Sequence, residues 1–264
     1  MRWSRYVRLY IQFLLQYAKV MIEYRTDFLI GFISSIFIQS SSILTIWIIF
    51  ENVNDLKGWS FNEIVFIYGL LLTSKSLNHI FFDNIWMLGP EYIKNGKLDI
   101  ILLRPVPPLF HIISDKIQQD GIGSLIMGAI FTTISFGRLN TEPSIMSILL
   151  LIIIIISGSF IFSAVNLIVA TISFWIVNSQ NFIAAVFTMH EFAYFPLNIY
   201  PKFIAVILTF IIPYFFVSYY PATYFLEREL SIFSYSSPLV ALSLWLISIL
   251  FWRFGVRNYT STGS

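Results

Sequence analysis

Long apolar runs alternate with short polar breaks along almost the whole chain. The run of residues 28–50 carries no charge, and as a helix rising 1.5 Å per residue it covers the roughly 30 Å hydrocarbon core of a bilayer. Further apolar runs follow at similar length. The pattern therefore predicts an all-α membrane protein that crosses the bilayer several times.

The runs predict six transmembrane helices in a single transmembrane domain over residues 1–264. We expect, in chain order, an interfacial helix (1–27), spans 1 and 2 (28–82), a polar loop (83–115), spans 3 to 5 (116–195), a hairpin (196–235), and span 6 with the tail (236–264). The hairpin contains an apolar run that is short for a crossing and is interrupted by proline. We expect it to be re-entrant, entering the membrane and returning; a seventh span is the alternative.

The first helix, over residues 3–25, carries two stripes at steps of three and four residues. At 3.6 residues per turn the stripes form separate faces. One face is mostly aromatic: Tyr6, Tyr10, Phe13, Tyr17, Val20 and Tyr24. The other is polar: Arg5, Arg8, Gln12, Gln16, Lys19 and Glu23. This arrangement predicts a helix at the membrane surface, with packing on a soluble subunit as the alternative.

Composition agrees with a membrane protein. Hydrophobic residues make up 57% of the chain and charged residues 11%, against about 25% charged in soluble domains. The net charge of +2 gives no indication of nucleic-acid binding, and the absence of cysteine excludes disulfides, cysteine-bound metals and thiol catalysis. The charged, amphipathic N-terminal region is unlike a cleavable signal peptide, so we expect none.

The distribution of Lys and Arg predicts the orientation. With six spans, the N-terminus, the polar loop and the tail share one side, which holds eleven basic residues: Arg2, Arg5, Arg8, Lys19, Arg25, Lys94, Lys97, Arg104, Lys116, Arg253 and Arg257. The opposite side holds four: Lys57, Arg138, Lys202 and Arg228. Because cytosolic loops are enriched in basic residues, we expect both termini in the cytosol.

The polar loop is the segment best suited to meet a partner. Its candidate contact residues are Glu91, Lys94, Lys97, Asp99 and Arg104. We expect Gly89-Pro90 to end the helix of span 2, a short amphipathic helix over residues 91–103, and an extended, proline-rich entry to span 3. Simple solvation of loop charges is the alternative interpretation.

The same loop lacks a phosphate-binding motif. The spacing from Gly89 to Gly96-Lys97 is six residues rather than four, and Leu98 stands where Ser or Thr would hold magnesium. We therefore expect no ATP hydrolysis by this chain and no bound cofactor.

Four polar residues in the spans are candidates for a pathway or gate: Lys75, His79, His190 and Glu191. Lys75, His79 and Asp83 lie four residues apart on span 2 and suit a polar track; alternatively Lys75 reaches the nearby surface and pairs with His79 or Asp83. His190-Glu191 is a candidate catalytic dyad, or a polar cap on a helix end. No HExxH motif or paired carboxylate is present, so we predict no catalytic and no metal-binding residues.

Small residues predict close helix contacts. Gly121, Gly123, Ser124 and Gly128 give span 3 a small side, and Ser157-Gly158-Ser159 in the middle of span 4 indicates a close contact or a bend. In lipid, small residues let helices approach closely.

These features together resemble the permease subunit of the type-2 ABC transporters, and in particular a bacterial subfamily with a G-x-L-D-x-x-L-x-R-P loop. That motif here is Gly96-Lys97-Leu98-Asp99-Ile100-Ile101-Leu102-Leu103-Arg104-Pro105. Proline- and tyrosine-rich blocks at residues 195–201, 212–213 and 220–221 match as well, as does the tail from residue 259. The resemblance covers essentially the whole chain.

The resemblance implies a non-catalytic exporter subunit in the bacterial plasma membrane. It implies a separate ABC ATPase in two copies, which binds ATP and Mg, and a second permease, identical or homologous, with which the chain forms the pathway among membrane lipids. Residues 91–103 would be the coupling helix, and the turn at residues 178–181 a smaller contact. The cargo would be an amphipathic or hydrophobic molecule such as a peptide, antibiotic, drug or lipid. An intramembrane lipid-processing enzyme and an ion-coupled transporter acting alone are the alternatives.

Overall fold

The computed structural model describes residues 2–138, 144–176, 179–228 and 230–260, with side chains from Tyr6 onward. Within these residues the chain is helical and has no strand beyond an isolated bridge between Leu56 and Trp59. The all-α prediction is therefore confirmed. Parts of the predicted turns at residues 137–143 and 178–181, the end of the tail and the side chains of Arg2 and Arg5 lie outside the described residues.

The α-helices are α1 (Arg2–Glu23), α2 (Arg25–Asn52), α3 (Phe61–Phe82), α4 (Lys97–Leu102), α5 (Pro108–Asp115), α6 (Gly121–Arg138), α7 (Ile145–Thr171), α8 (Gln180–Thr188), α9 (Lys202–Val206), α10 (Tyr219–Phe225) and α11 (Ser237–Arg257). Short 3-10 and π turns extend several of them.

In the described part of the chain, five helical stretches are long and apolar enough to cross a membrane: Arg25–Asn52, Phe61–Ile93, Gly121–Arg138, Ile145–Phe174 and Ser237–Arg257.

The sixth candidate is a broken pair, Lys202–Ile211 and Tyr214–Phe225, whose halves meet at 74°. Pro213 lies at the bend, where its ring prevents a continuous helix. The predicted fifth span is shorter than the others, because it consists of the nine residues of α8 and the six-residue 3-10 turn Met189–Tyr194. The proline interruption expected in the hairpin is therefore present, and its re-entrant path stays a prediction.

Helix α3 is the centre of the bundle and packs on α6 and α7. The contact with α6 depends on small residues, because a Cβ on Gly128 would lie 2.7 Å from Thr73 Oγ1. The contact with α7 is equally close, since a Cβ on Gly158 would lie 2.6 Å from Ser74 Oγ. The predicted small-residue packing of spans 3 and 4 is confirmed.

The aromatic face of α1 packs on the protein itself. Tyr6 and Tyr10 contact the ring of Phe110 on α5, with centroids 5.4 and 6.4 Å apart, and Phe13 contacts His111. These contacts cover the N-terminal part of the face, whereas Val20 and Tyr24 are exposed at 40% and 55%. The location of α1 at the membrane surface stays a prediction. A separate aliphatic stripe on α1 is exposed instead: Val7, Ile11, Leu15 and Ile22.

Candidate functional site

Span 2 does not end at Gly89-Pro90, contrary to prediction. After α3 the chain continues through a 3-10 turn, Asp83–Met87, and a π turn, Leu88–Ile93, so that one helical stretch runs over Phe61–Ile93. Pro90 falls in the first turn of the π segment, where an N–H group has no intrahelical partner to lose. This stretch, hereafter the rod, is about 50 Å long and enters the polar loop without a break.

Hydrogen bonds join the rod to α5, at the other side of the polar loop. The buried Asn84 amide donates to Tyr92 Oη at 2.8 Å and to the carbonyl of Ile112 at 2.6 Å. Tyr92 Oη in turn donates to Asp115 Oδ2 at 2.6 Å. The entry and exit of the polar loop are therefore held together by charge-assisted and neutral hydrogen bonds.

The chain reverses between the rod and α4. Gly96 makes the turn with φ of +68°, a conformation that other residues adopt only with strain. Helix α4 then buries Leu98 and Ile101 in one apolar cluster with Tyr92 and Ile112. The short helix predicted over residues 91–103 is thus two helical pieces around a turn, fixed by apolar packing.

The predicted partner-contact residues lie on the surface of the polar loop and are at least partly exposed: Glu91, Lys94, Lys97, Asp99 and Arg104. Two of them pair with each other across the Gly96 turn, because Lys97 Nζ donates to Glu91 Oε1 at 3.0 Å. An exposed pair of this kind contributes little to stability. Both charges therefore remain accessible to a neighbouring molecule.

Sequence reasoning missed an aliphatic patch beside these charges, formed by Ile100, Leu102 and Leu103. Their exposed fractions are 59%, 39% and 88%. The signal was present in the sequence, since α4 is apolar on both faces and only one face can pack inward. Contiguous exposed apolar residues outside the spans mark protein or membrane contacts.

Arg104 closes the polar loop against α5. Its Nη1 lies 3.1 Å from His111 Nε2, and because a guanidinium only donates, this histidine nitrogen accepts. Burial lowers the pKa of His111, and the charge of Arg104 lowers it further while Asp115 opposes both. The neutral imidazole is the form that fits this contact.

Within the spans, Lys75 meets residues of the Met189–Tyr194 turn. Lys75 Nζ lies 2.8 Å from His190 Nε2 and 3.3 Å from Tyr194 Oη. We name these three residues the intramembrane cluster. The predicted pairing of Lys75 with His79 or Asp83 is wrong.

His79 belongs to a different group, one turn further along α3. Its ring nitrogens lie 3.1 Å from Asp83 Oδ1 and 3.3 Å from Asp120 Oδ2. The hydrogen bond from His79 lowers the pKa of Asp120, which lies just before α6. Because His79 takes both nearby carboxylates, Lys75 reaches the neighbouring segment instead.

Glu191 does not join either group. Its side chain is exposed, whereas His190 beside it is buried. The ring nitrogens of His190 contact Lys75 Nζ and the carbonyl of Phe187, so the candidate dyad His190-Glu191 is not assembled. Among the described residues there is also no group of three potential metal ligands of the His, Cys, Asp or Glu type.

The opposite end of the rod is fixed by an ion pair. Arg228, after α10, donates to both carboxylate oxygens of Glu63 at 2.8 Å. The guanidinium also stacks on Trp59, with 3.9 Å between its central carbon and the ring centroid. The Trp59 indole donates to Asn198 Oδ1 at 3.0 Å. These contacts tie the hairpin to α3 beside a cavity of about 680 Å³.

A family model described as ABC-2 family transporter protein matches residues 36–263. The chain belongs to this family. This ABC-2 chain is accordingly a membrane permease of an ABC transporter, and membership implies a partner ABC ATPase. No curated protein and no solved structure matches the permease.

Proposed function

We propose that this permease is the pathway-forming subunit of an ATP-driven exporter in a bacterial plasma membrane, with both termini in the cytosol. Two copies of a separate ATPase and two permease subunits, identical or homologous, make up the transporter. ATP binds in the partner, and this chain contributes no catalytic group. The cargo is an amphipathic or hydrophobic molecule.

The continuous rod is the observation that carries this proposal. It begins at Phe61 beside the Glu63–Arg228 ion pair and ends at Ile93 beside the aliphatic patch. A displacement of the polar loop by the ATPase would therefore act on one continuous helical stretch that reaches the other end of the bundle. Packed helices transmit such a displacement because their interfaces switch between discrete arrangements.

The polar loop supplies the ATPase contact in this proposal. The aliphatic patch fills an apolar groove on the partner, and Lys94, Lys97 and Arg104 meet acidic groups at its rim. This division between an apolar centre and a polar rim is typical of protein interfaces. Burial of a side chain as exposed as Leu103 contributes on the order of 2 kcal/mol.

Co-purification of the ATPase tests the proposal. Leu103→Asp places a charge in the centre of the interface, so we expect loss of the ATPase from the detergent-solubilised complex and loss of permease-stimulated ATP hydrolysis. Ile232→Asp is the matched control, because Ile232 is 83% exposed on the hairpin. We expect this variant to keep both the bound ATPase and the stimulated ATP hydrolysis. A Leu103→Asp complex that retains the ATPase and its stimulated activity would refute the assignment.

A further inference from the structure

The intramembrane cluster has an unusual charge balance. Lys75 Nζ has two neutral partners, His190 and Tyr194, and lies 5.7 Å from the centre of the Phe187 ring. In the described part of the chain no carboxylate lies within 4.0 Å of Lys75. Glu191, beside His190, has an exposed side chain that makes no ion pair with Lys75 within that distance, although its charge acts on Lys75 from further away.

The contrast with His79 shows that α3 does pair its cations where it can. One turn from Lys75, His79 contacts two carboxylates, Asp83 and Asp120. Lys75 lies about four turns from the Phe61 end of the rod and about two turns from Asp83. Ionisable residues at such positions in membrane helices are costly unless paired, and they mark binding sites and ion paths.

Unpaired donors surround the cluster. Trp86 Nε1 and Tyr214 Oη are buried and have no hydrogen-bond partner. The Trp86 ring packs edge-on against Phe187 at 4.9 Å, and the Tyr214 ring lies 6.4 Å from that of His190. The surroundings thus offer N–H and O–H donors in excess of acceptors, and a buried donor without a partner loses free energy.

The cluster is also partly open at the surface of the protein. Lys75, Phe187 and Tyr194 are each partly exposed on this protomer, and the neighbouring Phe192 is exposed. A charged head group can therefore approach Lys75 laterally while an apolar tail remains among aromatic rings and lipid chains. An anion would complete the ion pair that the chain itself leaves open.

We propose that the intramembrane cluster binds the carboxylate or phosphate head group of an anionic amphiphile. Lys75 supplies the charge, His190 and Tyr194 accept hydrogen bonds from its ammonium, and the Tyr194 hydroxyl is a further donor for the anion. The inference rests on the proposed export function only in assigning this amphiphile as cargo; the binding site itself does not depend on it.

Binding of radiolabelled dodecanoate to the permease–ATPase complex in nanodiscs of phosphatidylcholine tests the site. We expect dodecanoate to bind and dodecyl phosphate to compete, whereas dodecyltrimethylammonium, with the same tail and opposite charge, competes at least about tenfold less well. Equal competition by the cation would overturn the proposal without any mutation.

Variants locate the site. Lys75→Met weakens dodecanoate binding at least about tenfold, the loss expected for one charge-assisted hydrogen bond, and Lys75→Arg retains most of it. Lys19→Met, at an exposed lysine of α1, is the matched control and leaves binding unchanged. Unchanged dodecanoate binding in Lys75→Met would refute the site. If Lys75→Met does not assemble with the ATPase, Tyr194→Phe provides a second measurement, and we expect it to weaken binding about threefold.

Two further measurements separate the sources of the anion and the two proposals. Replacing phosphatidylcholine by phosphatidylglycerol reduces dodecanoate binding if lipid head groups enter the site, and leaves it unchanged if only free amphiphiles do. ATPase co-purification is unaffected by Lys75→Met. Loss of dodecanoate binding with the ATPase still attached therefore supports the anion site, whereas loss of the ATPase in Leu103→Asp concerns only the coupling function.

Discussion

The two ends of the rod are held in place by different kinds of interaction. At the hairpin end, a bidentate Arg228–Glu63 ion pair stacks on Trp59 and holds the chain to itself. At the polar-loop end, buried hydrogen bonds and Leu98 fix the backbone, while the aliphatic patch faces outward. One end satisfies its strongest interactions internally, and the other leaves apolar surface exposed.

This difference indicates a direction for the coupling. A surface that leaves apolar side chains exposed gains most by binding another protein, so in the proposed function energy enters at the polar loop. The ion pair at the far end instead joins two parts of the chain itself. The predictions below test each end against the other.

Accessibility gives an all-or-none test of which end faces the cytosol. The chain has no cysteine, so Asn95→Cys and Ile232→Cys each introduce a unique thiol at opposite ends. We expect a membrane-impermeant maleimide to label Ile232→Cys in intact cells and Asn95→Cys only after permeabilisation, since basic loops remain in the cytosol. Labelling of Asn95→Cys in intact cells would reverse the orientation and remove the proposed ATPase contact.

Removing the ion pair measures how firmly the hairpin end is fixed. Arg228→Gln leaves Glu63 without its cation and takes the stacked group from Trp59, so we expect a loss of about 1–3 kcal/mol, seen as a lower thermal midpoint in detergent. Glu63→Gln added to Arg228→Gln recovers part of this loss, because no unpaired charge remains.

The control for this end is Arg138→Gln. Arg138 makes one exposed hydrogen bond of 3.4 Å to Asn62, and its loss costs well under about 1 kcal/mol. Equal destabilisation by Arg138→Gln and Arg228→Gln would show that the bidentate, stacked geometry at Glu63 adds no stability beyond that of an ordinary surface contact.

The smallest expected effect is a pH dependence at the polar-loop end. The pKa of His111 is lower in the folded protein than its ordinary value of about 6.5. Folding then favours the neutral imidazole, so the Arg104 contact contributes fully above about pH 6.5 and is lost as the pH falls below it. We expect less than about 1 kcal/mol, because the site is partly exposed.

Thermal midpoints at pH 7.5 and pH 5.5 measure this effect as the difference between the native chain and His111→Gln. Glutamine keeps a polar side chain at the contact and removes the titration. The drop in midpoint on acidification is expected to be smaller in His111→Gln. An identical drop in both proteins would show that the Arg104–His111 contact does not respond to pH.

Much of the architecture could be predicted from the sequence because hydropathy and small-residue spacing are local properties. The uncharged run of residues 28–50 lies in α2, Gly121 and Gly128 of span 3 pack closely on α3, and Pro213 interrupts the hairpin. The polar loop was also evident, since its charges separate two apolar runs. The length of the rod could not be predicted in this way. Proline usually interrupts a helix, so a break was predicted at Pro90, but Pro90 lies in the first turn of the π segment.

The candidate sites depended on tertiary structure. Lys75 and His190 are 115 positions apart, and Glu63 and Arg228 are 165 apart, so no local pattern joins them. Asp120, just before α6, contacts His79 rather than Lys75. Lys75 instead contacts residues of the Met189–Tyr194 turn. The sequence by itself determined a membrane bundle with one polar loop; packing alone determined which charges meet, because pairing energies fall off within a few ångströms.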